Sequence, residues 1–277
     1  MSDDPPAEAP RQHAAPEDGE PQVAELEVRG MLVGVFQENC WVIGNRRTRE
    51  AICIDPGEQA DDILHMADEM GITIKLIANS HAHLDHILGV RGIQAKTGAK
   101  FVLHKDDLEL SRAAVEHAQR FGLEADPVPD PDHFVEDGEQ VQVEGISLQA
   151  IHTPGHTAGS VCYYTDEVLF SGDTLFRGSI GRTDMPGGSY EQEMSSIVDR
   201  LLALPDSTAV LPGHMQETTI GFEREANPFI RQELIQRAAG AGEGDPSLAD
   251  APPDDDDEGE PTGDGWRQRK SGLVIPN

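Results

Sequence analysis

Ser80-His81-Ala82-His83-Leu84-Asp85-His86 places three imidazoles and a carboxylate within six residues, directly after the apolar run 72–78 (ITIKLIA). That run reads as a buried strand. In an extended segment residues i and i+2 point the same way, so His81 and His83 can face one point. Asp85 and His86 fall just past the strand, where a turn can aim them at a second point close by. Nitrogen and oxygen donors at this density suit zinc, iron or manganese. A single ion rarely takes four ligands from so short a stretch, because the chain cannot close a tetrahedron that way. The stretch therefore implies two adjacent metals, each completed from elsewhere in the chain.

Three further segments offer the missing donors. Thr153-Pro154-Gly155-His156-Thr157 follows the strand-like run 146–151 and presents His156. Phe170-Ser171-Gly172-Asp173-Thr174 follows 168–170 and presents Asp173. Leu211-Pro212-Gly213-His214 follows 208–211 and presents His214. Each time a strand runs into a glycine-containing turn that ends on a metal-type side chain, and glycine lets the backbone turn sharply or pass close to a ligand. His13, His65, His104, His117 and His133 show no such context and read as ordinary histidines, as does His152.

The pattern His81-x-His83-x-Asp85-His86, followed by Gly-His156, Gly-Asp173 and Gly-His214, resembles the metallo-β-lactamase-fold hydrolases over about residues 25–230. Three passages resemble the single-domain glyoxalase II (hydroxyacylglutathione hydrolase) branch. They are HTPGHTAGS at 152–160, GSIGRTD at 178–184, and LPGH at 211–214 with TTIG and NPF after it. The resemblance implies an α/β (α+β) fold, an αββα sandwich of two mixed sheets with helices on the outer faces. It implies that His81, His83 and His156 hold a first divalent metal and Asp85, His86 and His214 a second, with Asp173 bridging them. Zinc is the first expectation, with iron or manganese as alternatives. Each metal would keep an open position, the mark of a catalytic site. A hydroxide between them would be the nucleophile, since metal charge brings the pKa of bound water down to about 7.

The expected reaction is hydrolysis of a small acyl-thiol such as S-lactoylglutathione, with Asp85 assisting proton transfer. Arg182 could bind a substrate carboxylate, because a guanidinium pairs with it bidentately, and Tyr190 could line the pocket. Asp55, at the end of a strand, and Asp184 are candidates to orient ligating imidazoles. Two alternatives stay open: a mononuclear iron persulfide dioxygenase, because Gly181-Arg182-Thr183-Asp184 is shared with that group, and lactone or ester hydrolysis on the same site. Full-length glyoxalase II enzymes bind glutathione with basic residues of a C-terminal helical domain; here the stretch after His214 soon becomes acidic, and Arg224, Arg231 and Arg237 match no such motif. Gly-x-Ser-x-Gly, the elbow of serine hydrolases, is absent from the sequence.

Composition narrows the function class further. The 277 residues carry a formal charge of -30. Residues 26–240 hold 34 acids and 17 bases, so this imbalance does not come from the tails alone. Five lysines stand against sixteen arginines. An acid-coated, lysine-poor surface is the composition expected of a halophilic protein, because salt screens its self-repulsion. Nucleic-acid binding is disfavoured, since no basic patch can neutralise phosphates. The opening MSDDPPAEAP has neither the basic nor the apolar region of a secretory signal, and no apolar run approaches the 18 residues of a membrane span. A cytoplasmic protein without a membrane partner is the expectation. Cys40, Cys53 and Cys162 match no disulfide or zinc spacing and read as small buried hydrophobes.

Residues 1–24 are expected to be a disordered acidic tail, 25–240 the catalytic domain, 241–265 an acidic disordered linker, and 266–277 a segment that regains apolar and basic character. Strands are expected at 23–30, 31–36, 40–44, 51–55, 72–78, 100–103, 140–143, 146–151, 161–165, 168–170 and 208–211. Helices are expected at 60–70, 89–97, 106–120, 189–204 and 228–239.

Overall fold

The computed structural model describes residues 25–165, 167–240, 260–261, 266–268 and 274–276. The expectation for residues 1–24 lies outside them, as does most of that for 241–277. The first half of the chain runs β1 (Leu26–Val33), β2 (Glu38–Asn45), β3 (Glu50–Ile54), α1 (Ala60–Glu69), β4 (Thr73–Ala78), α2 (Leu84–Ile87), α3 (Val90–Thr97), β5 (Lys100–Leu103), α4 (Leu108–Arg120) and β6 (His133–Phe134). The second half runs β7 (Gln140–Val143), β8 (Ile146–His152), β9 (Val161–Tyr164), β10 (Val168–Gly172), β11 (Leu175–Phe176), β12 (Ser179–Ile180), α5 (Tyr190–Ser195), β13 (Ala209–Pro212), β14 (Thr218–Thr219), α6 (Ile220–Ala226) and α7 (Pro228–Gly240). Three short strands follow, β15 (Glu260–Pro261), β16 (Trp266–Gln268) and β17 (Val274–Pro276).

Two mixed sheets result, in the orders β15-β16-β17-β1-β2-β3-β4-β5-β6 and β14-β13-β10-β9-β8-β7. Alternation along the strands explains why both are buried on two faces. Trp41, Ile43, Ile52 and Ile54 point between the sheets, where they meet Leu148, Tyr163, Phe170 and Leu211. Cys40, Val42, Ala51 and Cys53 point the other way, against Ile63 of α1, Ile93 of α3 and Ala114 of α4. On the far side of the second sheet, Leu169 and Val210 pack against Met194, Ile197, Leu201 and Ile230. Each large apolar side chain buried this way contributes about 1.5–3 kcal/mol relative to exposure. The outcome is the expected αββα sandwich. All three cysteines are buried and free, and no described helix is long and apolar enough to cross a membrane.

The short elements α2, β6, β11, β12, β14 and α6 have no counterpart among the expected elements, and two expected elements are built differently. The strands expected at 23–30 and 31–36 are one strand, β1, continuous in its pairing with β2. Gly30 is there for space and makes no turn: a Cβ on it would lie 2.5 Å from the Trp41 ring. The turn comes at Gly34–Gln37, where both residues have positive φ. The single helix expected at 189–204 breaks into α5, a π turn over Ser196–Arg200 and a 3-10 turn over Leu201–Ala203. Such wide turns re-aim side chains; here Ile197 and Leu201 stay buried while Arg200 donates to the His152 carbonyl at 2.7 Å.

Candidate metal centre

Four strand ends of the two sheets converge at one edge of the sandwich. After β4 the chain stays extended through His81 and His83, then makes the single turn of α2, which carries Asp85 and His86. Buried Asn79 donates to the carbonyl of His86 at 2.7 Å and so folds this turn back on the strand. β8 leads to His156, β10 to Asp173, and β13 to His214. Two glycines are needed for the approach. A Cβ on Gly172, whose φ is +49°, would lie 2.3 Å from Ser80 Oγ. One on Gly213 would lie 2.5 Å from Asp173 Oδ1 and 2.6 Å from His86 Cε1.

The seven residues named from the sequence gather into two adjoining clusters. In the first, the rings of His81, His83 and His156 have centroids 4.7–4.8 Å apart, and His83 Nδ1 lies 2.9 Å from His156 Nε2. In the second, His214 Nε2 lies 3.2 Å from Asp85 Oδ2 and His86 Nε2 3.8 Å from the same oxygen. Asp173 stands between the clusters. Its Oδ1 is 3.4 Å from His86 Nε2, and its Oδ2 is 3.6 Å from His156 Nε2 and 3.7 Å from His214 Nε2.

Outer partners hold the imidazoles in place. His81 Nδ1 shares a 2.9 Å hydrogen bond with Ser80 Oγ, which donates to Asp55 Oδ2 at 2.6 Å. The same Asp55 oxygen lies 3.1 Å from His86 Nδ1, so one buried carboxylate steadies a ring in each cluster. His156 Nδ1 donates to the carbonyl of Arg182 at 2.8 Å. The orienting group is thus the backbone of Arg182, whereas Asp184 holds the Arg182 guanidinium bidentately at 2.8 and 3.0 Å and reaches no imidazole. Tyr190 is 45% exposed at the start of α5.

The two clusters differ in charge. Burial, with the neighbouring imidazoles adding to it, holds His81 well below its ordinary pKa. Burial and then His156 bring His83 down to about 3. For His86, burial pulls down but Asp173 and Asp85 outweigh it, and the pKa rises. His214 rises too, its hydrogen bond to Asp85 overcoming burial. Asp173 is held low by His86 against the effect of burial.

Three residues near the site had no role from sequence. Glu38 is fully buried 3.8 Å from His86 Nδ1, and burial raises its pKa well above the carboxylate range. Glu193 lies beneath His156 and Gly181, pushed up to about 9 by burial. Asp107 joins the loops of His81 and His156. No local pattern marks these three. A third group, His104, Asp106 and His152, also brings nitrogen and oxygen together. The two rings stack 4.1 Å apart at 16°, so their in-plane lone pairs run parallel instead of converging.

The donor set fits metal ions. His81 Nε2, His86 Nε2 and Asp173 Oδ1 are buried with no hydrogen-bond partner, which is costly unless something else satisfies them. Bonds of 2.0–2.1 Å in a tetrahedron imply donor separations of about 3.3 Å. The distances of 2.9–3.8 Å bracket that value. His81, His83 and His156 form one potential triad, and Asp85, His86 and His214 another.

The sequence profile of the Metallo-beta-lactamase superfamily matches residues 33–214, which span all seven donors. The chain belongs to that superfamily. Within it, the Hydroxyacylglutathione hydrolase GloC of Haemophilus influenzae is 37% identical over 212 residues, covering 75% of this chain and all of that protein. Among solved structures of the superfamily, BLEG-1 B3 metallo-beta-lactamase has a TM-score of 0.69 at 34% identity, covering 73% of this chain and 99% of its own. TTHA1623 in a di-iron-bound form has a TM-score of 0.66 at 34% identity with the same coverage. The superfamily match and the two clusters make the chain a metallo-hydrolase with a site suited to a metal pair.

Proposed function

We propose that the chain hydrolyses a small acyl-thioester, S-lactoylglutathione being the first substrate to test, with two divalent metal ions. The observation that carries this is the pair of clusters joined by Asp173, in a chain 37% identical to a hydroxyacylglutathione hydrolase over that protein's whole length. His81, His83 and His156 would hold one ion, Asp85, His86 and His214 the other, and Asp173 both. Zinc suits the nitrogen-rich donors; the di-iron relative supports iron as the alternative. Such a pair supplies a hydroxide at neutral pH and polarises the carbonyl under attack.

The chain's own residues do the rest. Asp85 Oδ2, turned toward the shared space, takes the proton of the nucleophile as well as binding metal. A thiolate leaves without a strong general acid. The Arg182 guanidinium meets a substrate carboxylate only by opening its ion pair with Asp184, an exposed pair that solvent weakens. Tyr190, exposed beside the His156 turn, covers the acyl group. The substrate is a small molecule; a net charge of -30 disfavours nucleic acid and anionic membrane surfaces alike.

The test purifies the protein with its native metal and measures S-lactoylglutathione hydrolysis, oxygen uptake on glutathione persulfide, and β-lactam and lactone opening in parallel. Thioester turnover with about two metals per chain is expected. Oxygen uptake with one iron per chain would replace this reading with the dioxygenase one, and lactam or lactone turnover alone would replace the substrate.

A further inference from the structure

We propose that Asp107 is a positioning residue for the His81–His83–His156 cluster, clamping the two loops that carry it. The proposal deepens the two-metal reading and rests on it. Asp107 closes the 3-10 turn Lys105–Asp107 between β5 and α4, and it is 1% exposed. Its Oδ2 accepts from the backbone N–H of Ala82 at 2.9 Å, the residue between His81 and His83. The same oxygen accepts from Thr157 Oγ1 at 2.9 Å, the residue after His156. Its Oδ1 accepts from the N–H of Gly159 at 2.8 Å. One carboxylate thus joins the β4 loop to the β8–β9 turn from behind, and touches no metal-facing atom.

The packing around it admits little else. A Cβ on Gly159 would fall 2.7 Å from Asp107 Cγ and Oδ1, so glycine is needed there for the carboxylate to seat. Thr157 Oγ1 is also 2.8 Å from Ser160 Oγ, which accepts from the Thr157 N–H at 3.0 Å. Thr157 and Ser160 are both buried. Charge-assisted hydrogen bonds of this kind are about twice as strong as neutral ones, and here all three originate in one rigid anchor. Without the clamp, the loops that carry His83 Nδ1 and His156 Nε2, 2.9 Å apart, are tied at their bases by Val161 N–H to Ser80 O at 2.8 Å and Tyr163 O–H to Asn79 O at 2.9 Å. No Asp107 bond reaches the loops of Asp173 or His214, so its effect should be confined to one cluster.

The experiment measures zinc affinity by chelator competition on full-length protein in two backgrounds. His214→Ala leaves the first cluster complete, and His83→Ala leaves the second complete. Asp107→Asn must turn its NH2 toward a backbone N–H, that of Gly159 or of Ala82, and loses at least one of the three bonds. It should weaken zinc about 10- to 100-fold in the His214→Ala background, the usual scale for groups that orient ligands, and less than about 3-fold in the His83→Ala background. Equal loss in both backgrounds, or loss in neither, overturns the proposal. Thr157→Val removes one of the three clamp bonds, together with the bond to Ser160 Oγ, and keeps the charge, so it should show the same selectivity with a smaller loss; it decides the matter if Asp107→Asn does not fold. Two zinc ions on the unsubstituted chain are expected. A single ion there would end the two-metal reading, and the clamp would then be judged on the His214→Ala background alone.

Discussion

His81, His83 and His156 stand mainly against one another, with Asp173 Oδ2 3.6 Å from His156 Nε2, whereas His86 and His214 face the carboxylates of both Asp85 and Asp173. The same residue type is therefore held in opposite states. Crowding and burial keep His81 and His83 poor in protons, with His83 down at about 3. Carboxylates keep His86 and His214 rich in them. A cation entering the first cluster meets lone pairs already free. One entering the second displaces protons but gains two negative charges. Asp173 belongs to both halves, so the two clusters should depend on it equally and on their other members separately.

The largest effect should follow from removing what the halves share. Asp173→Ala is expected to lower metal content at both positions, leaving well under one ion per chain by elemental analysis and abolishing turnover. Retention of two ions would mean the halves are independent. A smaller effect should follow from removing one half. Asp85→Ala is expected to cost one ion and keep the other, with turnover falling at least about 10²- to 10⁴-fold, since both the second ion and proton transfer are lost. Equal loss of both ions would show that the second cluster supports the first. Smaller still is Asp55→Ala. Its carboxylate holds Ser80 N–H at 2.6 Å and lies 3.1 Å from His86 Nδ1, so zinc affinity should fall about 10- to 100-fold at both positions. A loss confined to one would show that the Ser80 relay to His81 carries no weight.

The smallest effect concerns the surface. The net -17 of residues 26–240 acts on both halves alike, and the screening length falls from about 10 Å at 0.1 M salt to about 3 Å at 1 M. Between about 0.05 and 3 M KCl the Tm should rise by several degrees while the ratio of the two metal affinities holds. A flat or falling Tm would remove the high-salt reading of the acidic composition.

Much of this centre was legible in the sequence because metal donors here sit where strands end, and strand ends are visible as apolar runs followed by glycine turns. His156, Asp173 and His214 each carry that local signature, Asp55 carries it in Ile54-Asp55-Pro56-Gly57, and His81 and His83 stand out by their spacing directly after an apolar run. Asp107 and Glu38 do not. What they do is set by partners far away in sequence: the packing of one sheet on the other brings Gly159 to Asp107, and the pairing of β2, β3 and β4 within one sheet brings His86 to Glu38. Arg182 shows a different limit. Its side chain drew attention, yet its carbonyl steadies His156, and residue type says nothing about a backbone group. Gly30 shows a third: a glycine can mark a turn or a close approach, and only the Trp41 ring decides between them.

The central claim is that both halves must be filled for turnover. Titrating metal-free protein with zinc while following S-lactoylglutathione hydrolysis tests it directly. The account predicts that turnover reaches its plateau only at two equivalents per chain. A plateau at one equivalent, with the second ion adding nothing, would contradict it.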